Sequence, residues 1–191
     1  MAYTRRSAAT VSASSAETAS VVWPGTVPPM TTVSPRRSDA RLLLTALESS
    51  AIPEPTEDPE TARASPRRGE TVVMGGTVPG HTTDAVSALL AETVAADLLV
   101  YATSVPGVYS ADPNEDDGAE RHDRLTPSEL VDTIASIEIT AGSNAPVDLL
   151  AAKVIERSGL RAVVLDGTDP ERVADAVAGE DVDGTGVVPD E

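Results

Sequence analysis

From Thr71 onward, short aliphatic runs alternate with longer amphipathic ones, and this alternation constrains the fold more than any other feature of the chain. Residues 71–74, 98–103, 161–165 and 186–188 read as strands, and 84–96, 127–136, 146–158 and 170–178 carry apolar side chains at helical spacing. Strands alternating with helices call for βαβ units. The expected fold class is therefore α/β, a three-layer αβα arrangement with a mainly parallel sheet covered on both faces. Capping residues mark the same boundaries. Thr126-Pro127-Ser128-Glu129 is a capping box with proline at the first helical position; Pro146 opens the next helix and Gly159 closes it; Asp169-Pro170 and Gly179 bracket the last.

Upstream the pattern fades. Residues 1–37 show no sustained period, are rich in Ser, Thr, Ala and Pro, and are expected to be irregular, which leaves 38–191 as the ordered domain. Order is expected to begin at an N-cap, Ser38-Asp39, ahead of a short helix whose apolar face carries Leu42, Leu43, Leu44 and Leu47. Three prolines at 53, 55 and 59 then reset the chain, and a short helix is expected across 60–66. Arg5 and Arg6 precede no continuous apolar stretch, so no export signal is read, and no apolar run approaches membrane-spanning length. With no cysteine, disulfides and thiolate chemistry are excluded, and a soluble, cytoplasmic protein is expected.

Composition narrows the partners. The hydrophobic 40% is built without phenylalanine and with one tryptophan, so the core must be aliphatic. The formal charge of −17 is lopsided: four Arg and one Glu fall in 1–37, against ten basic and thirty acidic residues in 38–191. So acidic a surface argues against nucleic acid, whose backbone is bound through Lys and Arg. The acid excess, with Lys153 as the single lysine, matches the composition of proteins that work in concentrated salt, where carboxylate repulsion is screened; a halophile is expected.

Three segments carry candidate chemistry. Gly75-Gly76-Thr77-Val78-Pro79-Gly80-His81-Thr82-Thr83-Asp84 runs from a strand end into a helix start, where glycines admit an anion, the helix N-terminus offers free N–H groups, and hydroxyls add donors. The plainer alternative is a turn with a capping Thr83 or Asp84. Leu98 to Pro113 empties a buried strand into a loop with Thr103, Ser104, Tyr109 and Asp112, groups suited to border a ribose and a base; the alternative is a turn holding a stray tyrosine. Ala141 to Lys153 places Asp148 in a first helical turn and Lys153 five residues on, off its face. Phosphoryl transfer needs cations and dipoles on the moving phosphate, so Lys153 is a candidate, although a solvated lysine is the commoner case. His81 and His122 lack the partners of a triad or a metal site, and Glu115-Asp116-Asp117 and Asp181 with Asp183 lack calcium-loop spacing and read as solvated loops.

Together MGGTVPGHTTDAV at 74–86, DLLVYATSVPGVYSADP at 97–113, LTPSEL at 125–130, AGSNAPVDLLAAKVIERSGL at 141–160 and DGTGVVP at 183–189 resemble the amino acid kinase family, and within it the archaeal uridylate kinases. The resemblance implies magnesium-dependent transfer of the ATP γ-phosphoryl to UMP in pyrimidine nucleotide synthesis, without a covalent intermediate. It implies a UMP-binding loop of Thr77, Val78, Pro79, Gly80, His81, Thr82 and Thr83, an ATP border of Thr103, Ser104, Tyr109 and Asp112, and Asp148 with Lys153 as catalytic residues. Magnesium would be held mainly through the phosphates, and a homo-oligomer, a hexamer in the family, would form. Ser104 stands where Asn is usual, Pro106 where Asp is usual, and Asn144-Ala145 replaces a serine-rich pair.

Members of this family begin with a strand ending in a Gly-Gly-Ser phosphate loop and show a second glycine run. Residues 1–37 have neither, and the resemblance resumes near Asp39 with a helix that members use in subunit contacts. The expectation is a domain incomplete on its N-terminal side, through truncation, a wrong start or a frame error. Two alternatives stay open: a catalytically impaired nucleotide-binding remnant, or a relative acting on carbamate or an amino acid.

Overall fold

The structure, a computed structural model, describes residues 19–23, 30–32, 40–41, 44–45, 51–64, 71–75, 82–139 and 145–190. Its strands are β1 (Ala19–Trp23), β2 (Met30–Thr32), β3 (Val72–Met74), β4 (Leu98–Thr103), β5 (Arg124–Leu125), β6 (Ala162–Asp166) and β7 (Gly184–Val187). The helices are α1 (Pro59–Ala64), α2 (Thr83–Thr93), α3 (Pro127–Ile139), α4 (Leu149–Ser158) and α5 (Pro170–Ala178). Residues 40–41 and 44–45 are helical as well.

All seven strands join one sheet in the order β3-β2-β1-β4-β6-β7-β5. Within it β2–β3, β4–β6 and β5–β7 pair parallel, whereas β1–β2, β1–β4 and β6–β7 pair antiparallel. The sheet is thus mixed rather than mainly parallel, because β1 runs against both neighbours and β7 turns back along β6. The α/β class stands, with helices on both faces.

Ala19–Trp23 and Met30–Thr32 correct the reading of 1–37 as irregular for those residues. Val21 and Val22 of β1 lie opposite Val100 and Leu99 of β4, and Met30 to Thr32 pair with Val72 to Met74 of β3. These strands are too short to show a period of their own. Pairing with partners about 40 to 80 residues away recruits them, which a local reading cannot detect.

Alternation along β4 divides the core. Leu99 and Tyr101 face a layer in which Ala62 of α1, Val86 and Leu90 of α2, Leu130 and Ile134 of α3, and Ala151 and Ile155 of α4 pack together. Val100 and Ala102 face the opposite way, onto Val173, Ala176 and Val177 of α5. On a third patch Ala40 and Leu44 cover Val73. The core is aliphatic apart from Tyr101, as the composition requires.

Helix ends largely follow the capping signals. Thr126 and Glu129 exchange bonds, the Thr126 amide donating to Glu129 Oε2 at 2.7 Å and the Glu129 amide to Thr126 Oγ1 at 3.2 Å. Gly159 and Gly179 end α4 and α5 in the left-handed conformation, at φ 63° and 81°. Helix α4 differs from expectation: it starts at Leu149, after Pro146, with Asp148 as its N-cap rather than in its first turn. The strand β5, within the expected long loop, also escaped the sequence pattern, since its two residues are fixed by β7.

Strand directions decide where a ligand can sit. β2, β3, β4 and β6 run one way, and β1, β5 and β7 run the other. The carboxyl ends of β3, β4 and β6 therefore share one edge of the sheet, with the N-terminus of α2, the N-terminus of α4 and the segment following β4. In open α/β sheets this is the edge where ligands bind.

Candidate functional site

At that edge α2 and α4 lie side by side and parallel, tied at both ends. Near their C-termini Arg157 grips Glu92 with two bonds, Nε to Oε1 at 3.0 Å and Nη2 to Oε2 at 2.5 Å. At their N-termini the Thr82 hydroxyl donates to Asp148 Oδ2. Each of these two residues is also its helix's cap: Ala85 N donates to Thr82 Oγ1 at 3.1 Å and Ala151 N to Asp148 Oδ1 at 2.8 Å. The two capping residues are thus joined to each other. Both helix dipoles present their positive ends to the same edge, an arrangement that favours an anion beside the junction.

Tyr101 supports this junction from below. It is fully buried on β4, and its hydroxyl donates to the Asp84 carbonyl in the first turn of α2 at 2.9 Å. Burial, then the Asp84 and Asp148 carboxylates, push that hydroxyl well above the ordinary tyrosine range. Sequence reasoning passed over Tyr101; strand alternation, which puts it on the helix-covered face with Leu99, was the available signal.

The second half of the site follows β4. Thr103 is buried at the strand's end, where its hydroxyl donates to Val105 O at 2.8 Å and accepts from Val105 N at 3.1 Å. That hydroxyl builds the turn. Ser104 is exposed, Tyr109 half-buried, and Asp112 buried with its Oδ1 accepting from Asn114 N at 2.9 Å and Nδ2 at 3.0 Å. Beyond the turn the chain folds back on itself as a flap over 105–123, with Tyr109 bridged to Arg121. Its two arms are joined by Ser110 N to Glu120 O and His122 N to Val108 O, both 2.9 Å.

The third strand end closes the crevice. Thr103 lies beside Asp166 in the parallel pair, and Gly167 N donates to Thr103 O at 2.9 Å. A side chain at Gly167 would meet the Ala102 Cβ at 2.6 Å, so glycine is required for this approach. The Asp166 carboxyl is held below the usual carboxylate range, first by the Thr168 amide and then by Thr168's hydroxyl, with Arg172 adding to it.

The structure brings Thr82, Thr83 and Asp148 together at the helix junction and sets Thr103, Ser104, Tyr109 and Asp112 along the adjoining turn and flap. Thr77, Val78, Pro79, Gly80 and His81 lie outside the described residues. Lys153 is exposed on α4, five residues beyond the cap, while the Asp148 carboxylate turns back onto the helix start to accept from Ala151 N. Asp183 lies exposed in the loop before β7, as its solvated-loop reading has it, and also binds Arg121.

A sequence model of the amino acid kinase family matches residues 32–166. The chain belongs to this family. The family's matched region contains β3, α2, β4, the flap, α3, α4 and β6, and so the whole junction of Thr82 with Asp148. Among relatives, the uridylate kinase of Natronomonas pharaonis is 78% identical over 123 residues, covering 64% of this chain and 54% of that protein. The uridylate kinase of Halobacterium salinarum strain R1 is 68% identical over 122 residues, 64% of this chain and 51% of that protein. The chain spans about half the length of these curated relatives. Among solved structures, the uridylate kinase from Archaeoglobus fulgidus superposes with a TM-score of 0.67 at 47% identity, over 78% of this chain and 66% of that one. The UMP kinase from Ureaplasma parvum, at 15% identity and a TM-score of 0.60 over 80% of this chain and 67% of that one, shares the fold.

Proposed function

We propose that this chain serves as a UMP kinase, passing the γ-phosphoryl group of ATP to UMP to give UDP for pyrimidine nucleotide synthesis. The observation that carries the reading is the bonded pair of caps, Thr82 and Asp148, which aims two helix N-termini at one point of the ligand edge. Relatives named as uridylate kinases at 78% and 68% identity support the choice of acceptor.

In this reading the loop Thr77 to Thr83 holds UMP with its phosphate toward the start of α2. Thr103, Ser104, Tyr109 and Asp112 border ATP. Asp148 orients the groups around the moving phosphate, with Lys153 of the same helix assisting. The helix dipoles supply fixed positive potential where negative charge is transferred, so catalysis comes from positioning and charge stabilisation. Magnesium, when bound, neutralises charge on the ATP phosphates. Among the described residues no group of three or more His, Cys, Asp or Glu side chains could hold a metal ion. A cytoplasmic location and a homo-oligomer belong to the same reading; no helix among the described residues is long and apolar enough to cross a membrane.

The test is UDP formation from UMP and magnesium ATP by the purified chain in multimolar KCl, with CMP, carbamate and glutamate as competing acceptors and light scattering to read the assembly. Turnover with UMP alone is the expected result. A folded chain that binds nucleotide without turnover points instead to a binding remnant.

A further inference from the structure

Thr185 is a fully buried threonine in the middle of β7, and its hydroxyl does not bond within its own strand. It accepts from Val108 N at 2.8 Å and donates to His122 O at 2.5 Å, groups 77 and 63 residues away in sequence. Val108 is on the first arm of the flap and His122 on the second. One buried side chain thus holds both arms, at the level where they are also bonded to each other through His122 N and Val108 O.

The surroundings reinforce this contact. A Cβ added at Gly107 would come within 2.5 Å of the Thr185 hydroxyl, so the first arm approaches β7 as closely as a residue without a side chain allows. Arg121, next to His122, binds Asp183 two residues before Thr185, approaches Asp123 at 3.5 Å, and reaches back to Pro106 O at 3.5 Å. The second arm then runs into β5, where Gly186 N donates to Asp123 O and Val188 N to Leu125 O, both at 3.0 Å. The first arm has no strand of its own in the sheet; Thr185 holds it against β7 directly, and Arg121 of the second arm links Pro106 to Asp183 just before β7.

From this arrangement we infer that Thr185 is a positioning residue: from β7 it fixes the flap that carries Tyr109 and Asp112, and thereby sets the ATP side of the site without touching the nucleotide. The inference deepens the kinase reading and rests on it for the identity of the ligand. The physical basis is independent of that identity. A buried hydroxyl that satisfies one donor and one acceptor cannot be removed without stranding both, whereas a hydroxyl on a smaller side chain can satisfy them again.

The experiment compares Thr185→Val, which keeps the shape and removes the hydroxyl, with Thr185→Ser, which keeps the hydroxyl, and with Gly107→Ala, which forces the same contact apart from the flap side. Two quantities are measured on the whole chain in multimolar KCl: amide exchange across 105–123, and binding of ADP and of UMP by calorimetry. The expected result is exchange at Val108 and its flap neighbours faster by about tenfold or more in Thr185→Val and Gly107→Ala, with α2 and α4 unchanged. ADP affinity should fall by about tenfold in those variants while UMP affinity holds, and Thr185→Ser should restore both. Unchanged flap exchange in Thr185→Val, or equal losses for ADP and UMP, would overturn the inference. If the unmodified chain binds neither nucleotide, the kinase reading fails, and flap-specific exchange with rescue by serine still upholds Thr185 as the residue that pins the flap.

Discussion

The α2–α4 pair and the 105–123 flap leave the same edge of the sheet, yet they are held there by different means. The helices are fixed by their own termini: each cap is bonded within its first turn, and the two caps are bonded to each other. The flap has little regular structure and is fixed from outside, by Thr185 of β7 and by Asp183 just before that strand. A site built in the first way keeps its geometry as long as the helices exist. One built in the second way depends on contacts across most of the domain, and such segments open at lower free energy.

The largest effect that separates the two should come from Asp148. Its carboxylate caps α4 and also carries the charge that the kinase reading assigns to the site. Asp148→Asn keeps a good cap and removes the charge, whereas Asp148→Ala removes both. Both should lose UDP formation by about 10²-fold or more. Only the alanine variant should also lose about 1 kcal/mol of stability in urea titration. Full turnover in Asp148→Asn would reduce Asp148 to a structural cap. Next in size is the response to salt. The flap carries Glu115, Asp116, Asp117 and Glu120, all exposed, and its repulsion is screened by KCl. Lowering KCl from molar to millimolar should therefore raise amide exchange in the flap before it does so in α2 and α4. Simultaneous loosening would show that the two regions are not independently held.

These regions also differ in how far the amino-acid sequence disclosed them. Thr82 to Asp84 and the capping box at Thr126 mark helix starts through local chemistry and the closing glycines mark helix ends, so most of the helix edge was legible; Pro146 set the start of α4 too early, and Asp148 is its cap rather than a first-turn residue. The loop of 77–81 was singled out too, but it falls outside the described residues. What stayed hidden has one physical cause. Strands β1, β2 and β5 are two to five residues long and owe their existence to distant partners. Thr185 and Arg121 look like ordinary surface residues until the fold brings β7 beneath the flap. The bond from Tyr101 to Asp84 is likewise invisible in sequence, although the burial of Tyr101 follows from its place in an aliphatic strand.

Tyr101 gives the next test, smaller because it removes one bond from an otherwise intact helix turn. Tyr101→Phe should cost about 1 kcal/mol at neutral pH. It should also change the alkaline limb. The folded protein holds the hydroxyl proton well above the value of about 10 at which an unfolded chain releases it. The contribution of that shift is fully present below pH ~10 and is lost as pH rises through and beyond it. The unmodified chain should therefore lose stability above that pH more steeply than Tyr101→Phe. Parallel stability curves for the two would place the tyrosine hydroxyl in a more exposed setting than the junction requires.

The smallest effect is expected where the same helix pair is tied by exposed groups. The side chains of Arg157 and Glu92 are 59% and 34% exposed, so their two short bonds compete with water and with salt. Arg157→Ala should lower the melting temperature by less than Tyr101→Phe does, and the difference should shrink further as KCl is raised. The cap junction of Thr82 with Asp148, at the opposite end of the helices, should keep its exchange protection throughout. If instead Arg157→Ala loosens the N-termini of α2 and α4, the pair behaves as one lever tied at its C-terminal end, and the contrast between a self-held helix edge and a flap held from outside would have to be redrawn around that ion pair.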